Sequence, residues 1–419
     1  MRIRYWRILR PLLGGMVAAL VLAMAALGVY TRTSWGRGHI LAITLRTLGG
    51  KLNGTLKVQR LDGNLFTGAR LYRVSLAESN GQPLLTADSA YIDYDLPTFF
   101  GGDVVIHRLV LFNADLRLRR LPGDSLWNYQ QVLLDTTATP GTGPGKATII
   151  DQLRLVGGHV VVRMPWSPDS TASASEQRQA VAAILSDTSR QYVERVPGGF
   201  LETWRFQLAR GQLSQLTIAP DERGGTYLGI DTLRATAQIY RGSPLVLEQA
   251  AGQIALRDGI LRYRAPLIVL PGSRLSSDGR IDMREPAPKY DLGFNGQRVS
   301  LADVQWIYPP LPDTGTARFQ LWLETHPDGL YYKVRDLRLT TTGTRLTGSV
   351  GVVYGDSLVF TDMDLHADPF DVKVATRIFG VQLPIDGLHI GSADAATPSA
   401  AREAGGGRPP PSRTPGRRS

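Results

Sequence analysis

The chain of 419 residues contains no cysteine. That excludes a disulfide framework, thiolate metal sites and a cysteine nucleophile together, and it is compatible with an oxidising compartment. Histidine is scarce. The six residues His39, His107, His159, His326, His366 and His389 stand apart, and no pair has zinc-ligand spacing such as H-E-x-x-H. There is no phosphate-binding loop, no G-x-G-x-x-G opening a helix and no G-x-S-x-G. The spaced carboxylates Asp93-x-Asp95 and Asp362-x-Asp364 fall on the polar side of strand-like segments and read as solvated surface. The expectation is a protein that is not an enzyme, with no catalytic residue, metal or cofactor.

A broad basic field is also missing from the body, despite a formal net charge of +10. Residues 1–37 hold six Arg and no acid, and residues 391–419 hold five Arg against Asp394 and Glu403. What remains between Gly38 and Ile390 carries one net positive charge. Phosphate backbones need far more, so no nucleic-acid partner is expected.

Long apolar runs are absent with one exception, Leu12–Tyr30, which has 19 uncharged residues. About 20 helical residues span a bilayer core. Arg2, Arg4, Arg7 and Arg10 precede the run, and only Arg32 and Arg37 follow closely. The larger cluster stays in the cytoplasm, which sends the body across the membrane. Residues 1–33 therefore read as a cytoplasmic tip and a single-pass anchor in a bacterial inner membrane, with the body periplasmic. A cleaved signal peptide ending near Ala23-Met24-Ala25 is the rival, but the run exceeds the usual core of roughly 7–15 residues. In 34–50, Ser34 can cap a short helix from Trp35 to Leu48 that Gly49-Gly50 ends. That helix seals the first sheet or lies on the membrane.

What the body has in abundance is turn chemistry, with 45 Gly and 26 Pro, and period-two alternation. Val104, Ile106, Val110, Phe112, Ala114, Leu116 and Leu118 occupy even positions, broken only by Arg108. This predicts one long strand, or two meeting near Asn113, with a single apolar face. Ala317, Phe319, Leu321 and Leu323 alternate likewise, and Leu346, Val350, Val352 and Tyr354 share a face. Asp62-Gly63, Asn80-Gly81, Asp258-Gly259, Asp278-Gly279 and Asp328-Gly329 separate the runs. Gly157-Gly158 reads as a bulge or turn. Residues 51–163 are expected to form a first β-groove unit and 201–390 a set of repeated β-groove units. Residues 164–200 are an insertion with a helix expected from Glu176 to Glu194.

Two segments repeat at a near-fixed offset. Gly272-Ser273-Arg274-Leu275 recurs 71 residues later as Gly343-Thr344-Arg345-Leu346. Asp291, Leu292 and Phe294 recur as Asp362, Met363 and Leu365 at the same offset. Leu311-Pro312-Asp313-Thr314-Gly315 recurs 72 later as Leu383-Pro384-Ile385-Asp386-Gly387. A unit of this length is expected to hold about five to seven strands and to stack on its neighbours. Two separate sandwich domains are the alternative.

The N-terminal third carries an ordered set of strand and turn patterns. It runs through Leu56-Lys57-Val58, Leu61-Asp62-Gly63-Asn64-Leu65, Gly68, Leu71 and Val74-Ser75-Leu76. It continues through Asn80-Gly81-Gln82-Pro83-Leu84-Leu85, Ala87-Asp88-Ser89-Ala90 and Tyr91-Ile92-Asp93-Tyr94. It ends with Gly102-Asp103-Val104-Val105-Ile106, Leu109, Leu116-Arg117-Leu118 and Trp127-Asn128. This set resembles the AsmA/TamB family of envelope proteins, well over residues 1 to about 130 and loosely over 205–390. The resemblance implies an elongated, half-open, curved groove of antiparallel strands, apolar inside, that carries phospholipid acyl chains between inner and outer membranes. Its other implication is a factor that helps insert outer-membrane barrel proteins through a barrel partner. The expected groove-lining residues are Val104, Ile106, Val110, Phe112, Leu116, Leu118, Phe319, Leu321, Val350 and Val352. TamB-type members are much longer and end in a domain that is not seen here. Alternation stops after Ile390, and 391–419 reads as a disordered tail or as the product of a frameshift.

Overall fold

The computed structural model describes residues 52–64, 68–94, 103–133, 147–168, 173–186, 192–285, 288–326, 329–354, 358–374, 389–390 and 393–396. The expected anchor, the Trp35–Leu48 helix and most of the tail lie outside these residues. Among the described residues no helix is long and apolar enough to cross a membrane.

The described chain is mostly strand. The first are β1 (Gly54–Asn64), β2 (Gly68–Glu78), β3 (Pro83–Tyr94) and β4 (Val104–Arg119), followed by β5 (Thr148–Trp166), β6 (Val193–Val196), β7 (Gly199–Ile218) and β8 (Thr226–Gln238). Then come β9 (Leu245–Arg257), β10 (Ile260–Leu270), β11 (Ser273–Asp282), β12 (Lys289–Ser300) and β13 (Thr316–His326). The last long strands are β14 (Gly329–Thr341), β15 (Thr344–Tyr354) and β16 (Leu358–Ala367), with short β17 (Phe370–Asp371), β18 (His389–Ile390) and β19 (Ala393–Ala396). Among the described residues three α-helices interrupt them, α1 (Asn128–Leu133), α2 (Ala174–Ser186) and α3 (Leu301–Val304), with a short 3-10 turn at Asp221–Arg223.

Seventeen strands form one sheet. From β7 onward each long strand pairs with the next in sequence, so the sheet is a meander. Among the described residues it is open: β1 and β16 do not pair, and its edges do not roll round to meet as in a closed barrel. The two β units expected on either side of residues 164–200 belong to this one sheet.

Four expectations need correction. The strands are not all antiparallel, because β4 pairs with β5 in parallel from Val104↔Thr148 to Arg119↔Arg163. Parallel neighbours need a crossover, and the chain between them, including α1, supplies it. The insertion helix is Ala174–Ser186 rather than Glu176–Glu194, and Val193–Val196 is strand. Ser173 and Glu176 start it as a capping box, with the Ser173 N–H donating to Glu176 Oε2 at 2.6 Å. The 71-residue offset holds four strands, β11 to β14, rather than five to seven, because each strand is 10–13 residues long. Finally, Ala393–Ala396 inside the expected tail is a strand paired with β16.

A fifth correction concerns alternation itself. Arg73, Asn113 and Gly157 have left-handed backbones, with φ of 49°, 49° and 68°. The flanking pairs place Arg73 beside Asp88, Asp88 beside Asn113, Asn113 beside Gly157 and Gly157 beside Ala209. A line of kinks thus crosses β2, β3, β4, β5 and β7, stitched by the Asn113 amide donating to Asp88 Oδ2 at 2.8 Å. A second line passes through His107, Asp151 and Gln215 (φ 52°), with His107 Nδ1 2.9 Å from Asp151 Oδ2. From β8 to β16 every neighbouring pair has a register shift of its own. Each kink flips the parity of the face. Hence Ala87 and Ala90, and again Leu111 and Ala114, are three apart yet share one buried cluster with Val74, Ile150, Leu153 and Leu213.

Candidate functional site

The face that carries this cluster is apolar from one side of the sheet to the other. Cross-strand partners share a face. They run Tyr94–Ile106–Ile150–Leu216 over β3, β4, β5 and β7. Past one register shift they resume at Leu228 and continue through Ile254, Tyr263, Gly279, Leu292, Leu323, Tyr332 and Val352 to Phe360 on β16. Only Gly279 lacks a side chain in that row. The Tyr263 ring reaches along β11 past it, its hydroxyl 2.8 Å from Ser277 Oγ. Burial raises the hydroxyl pKa of Tyr94, Tyr263 and Tyr332. A parallel row, Phe294–Leu321–Val334–Val350, lies beside the first. Over β12 to β14 the opposite face is polar: Asp291 pairs with Glu324, Gln320 with Arg335, and the Arg335 guanidinium sits 5.6 Å over the Trp322 ring. A hollow of about 610 Å³ on that polar side is lined by Ala209, Arg210, Thr232, Arg234, Glu248 and Gln249.

The two halves of the apolar face differ in cover. In β2 to β7 its centre is buried, as in Leu111 at 6% and Ala90 at 2% exposure, with Ile106, Leu109 and Leu216 partly buried around it. In β12 to β16 the side chains of Phe294, Leu321, Leu323, Val334, Val350 and Val352 are only half-buried, and Phe360 is 38% exposed. Near its middle, Phe200, Glu202, Trp204 and Phe206 of β7 project from the apolar face opposite Trp166, Met164, Val162 and Val160 of β5.

Of the expected lining residues, Val104, Ile106, Leu116 and Leu118 lie on the apolar face, with Ile106, Leu116 and Leu118 packed against its clusters. Phe319 packs against Leu301, Ala317 and Leu339, while Leu321, Val350 and Val352 stand in the rows just described. Val110 and Phe112 do not join them. They alternate with Leu109 and Leu111, and their partners are Arg154 and Val156 on the other side. Even-position counting missed Leu109 and Leu111. The signal that could have found them was Asn113 within an apolar run, a residue tolerant of positive φ. Among the described residues no three His, Asp or Glu side chains converge as a metal site would require. Compared with protein families, with curated proteins and with solved structures, the chain matches none of them.

Proposed function

We propose that this is an inner-membrane-anchored periplasmic protein whose sheet is bent into a trough that carries phospholipid acyl chains between the two membranes. The observation that carries the reading is the apolar row from Tyr94 to Phe360, whose later members are only half-covered. Hydrocarbon laid along an open sheet demands cover, and acyl chains fit a long narrow strip. Two features support the bend. Aligned kinks and register shifts curve strands. The Tyr129 hydroxyl of α1 lies 3.2 Å from Thr226 Oγ1 although α1 packs at the Glu78 end of the sheet and Thr226 sits at the opposite strand end.

The test is mass spectrometry of lipid retained by the full chain after extraction from membranes. Leu323→Asp or Val334→Asp should lower retained phospholipid several-fold, because a buried charge costs several kcal/mol. Phe112→Asp, on the polar side, should leave it unchanged. Equal lipid in all three variants sinks the proposal. A second reading, assistance to outer-membrane barrel insertion, draws on β1, which among the described residues pairs on one side only. It requires photocrosslinks from β1 to barrel proteins.

A further inference from the structure

Glu202 is chemically at odds with its wall. It stands between Phe200 and Trp204 on β7 and directly opposite Met164. The Trp166 ring meets Phe200 edge-on at 5.8 Å between centroids. Burial raises the Glu202 carboxyl above its usual range, and Tyr290 of β12 is close enough for the two groups to feel each other's charge. Among the described residues no cation forms an ion pair with it. The Trp204 indole N–H is buried beside the Glu202 carboxylate and pulls its pKa down, against the larger effect of burial. On the neighbouring strand, Arg195 is the direct partner of Phe200, is exposed, and holds its guanidinium 5.5 Å over that ring.

Three demands coincide here. A carboxylate largely withdrawn from water, as Glu202 is, is stabilised when a cation meets it. Aromatic faces attract ammonium ions. An exposed guanidinium favours phosphate. Arg195 and Glu202 are diagonal neighbours, about 7–8 Å apart, a span their side chains can bridge from either end of one small ligand.

We propose that this stretch of wall binds a zwitterionic headgroup, with Arg195 on the phosphate and Glu202 with the Trp204 ring on the ammonium. This rests on the trough reading and adds selectivity to it.

The experiment uses the full chain, incubated with vesicles of equal phosphatidylethanolamine and phosphatidylglycerol, repurified, and read by lipid mass spectrometry. The parent chain should enrich the ethanolamine lipid about tenfold, as one good charged contact allows. Free phosphoethanolamine should compete that preference away. Glu202→Gln, nearly isosteric, should return the ratio to that of the vesicles while total lipid stays constant. Arg195→Ala should lower both phospholipids relative to added free fatty acid. An unchanged ratio in Glu202→Gln overturns the headgroup site. Undiminished lipid in Leu323→Asp overturns the trough instead, so the two failures are distinguishable.

Discussion

Ser273 and Thr344 show how single side chains join the units of this sheet. Both are 5% exposed, and each opens a strand. The Ser273 hydroxyl accepts the Ser300 N–H at 2.8 Å, and the Thr344 hydroxyl accepts the Asp371 N–H at 2.9 Å. Ser300 and Asp371 are themselves 71 positions apart, as are the buried Leu301 and Val372 that follow them. Ser273→Ala strands a backbone donor and should lower stability by about 1–3 kcal/mol in chemical denaturation. At the other end of the sheet, Glu78 accepts from Arg119 at 2.7 Å and from Asn128 at 2.9 Å, with its side chain 8% exposed. Glu78→Ala leaves the guanidinium unpaired and should cost about 3 kcal/mol or more. Asp103 gives a pH signature. Its bond to Arg223, at 2.6 Å, holds its pKa at about 2. A depressed carboxyl stabilises the fold above the unfolded value of about 3.9 and loses that contribution as pH falls toward 2. Thermal scans of Asp103→Asn should therefore converge with the parent as pH drops through that window. A difference that widens on acidification contradicts the assignment.

Within an element, the kink decides which side chains face the apolar side. In β4 the Asn113 backbone at φ 49° lets Leu111 and Ala114 share a face. A β-branched residue is strained there, so Asn113→Val should destabilise by about 1–3 kcal/mol while Asn113→Gly is tolerated. Strand existence was legible in β4 and β13 because alternation persists over many residues. Their outcomes differ for a physical reason. In β13, Ala317, Phe319 and Leu321 keep one parity, and the shifts fall on its neighbours, where Asp336 of β14 has φ 51°. In β4 two kinks intervene, so Val110 and Phe112 turned outward. α2 starts at Ala174 because Ser173 and Glu176 cap one another, and that box was present in the residues.

For the molecule as a whole, the repeat predicts modularity. Removing residues 272–342 joins β10 to β15 across equivalent positions. Nearest-neighbour packing lets such a sheet shorten without reorganising. The shortened chain should keep its strand circular dichroism and a cooperative unfolding transition. Loss of cooperativity would show that β11 to β14 make essential contacts beyond their neighbours.

The residues alone determined an all-β body with one apolar and one polar side, the turn positions and the 71-residue period. Each follows from local chemistry: alternation, Gly/Asn/Asp turns and recurring hydroxyls at strand starts. Tertiary structure decided the parallel β4–β5 pair, the alignment of kinks from strand to strand and the side on which Val110, Phe112 and Glu202 stand. Those depend on register between distant segments. A single left-handed residue reverses every side chain beyond it, and only the paired neighbour reveals where that happens.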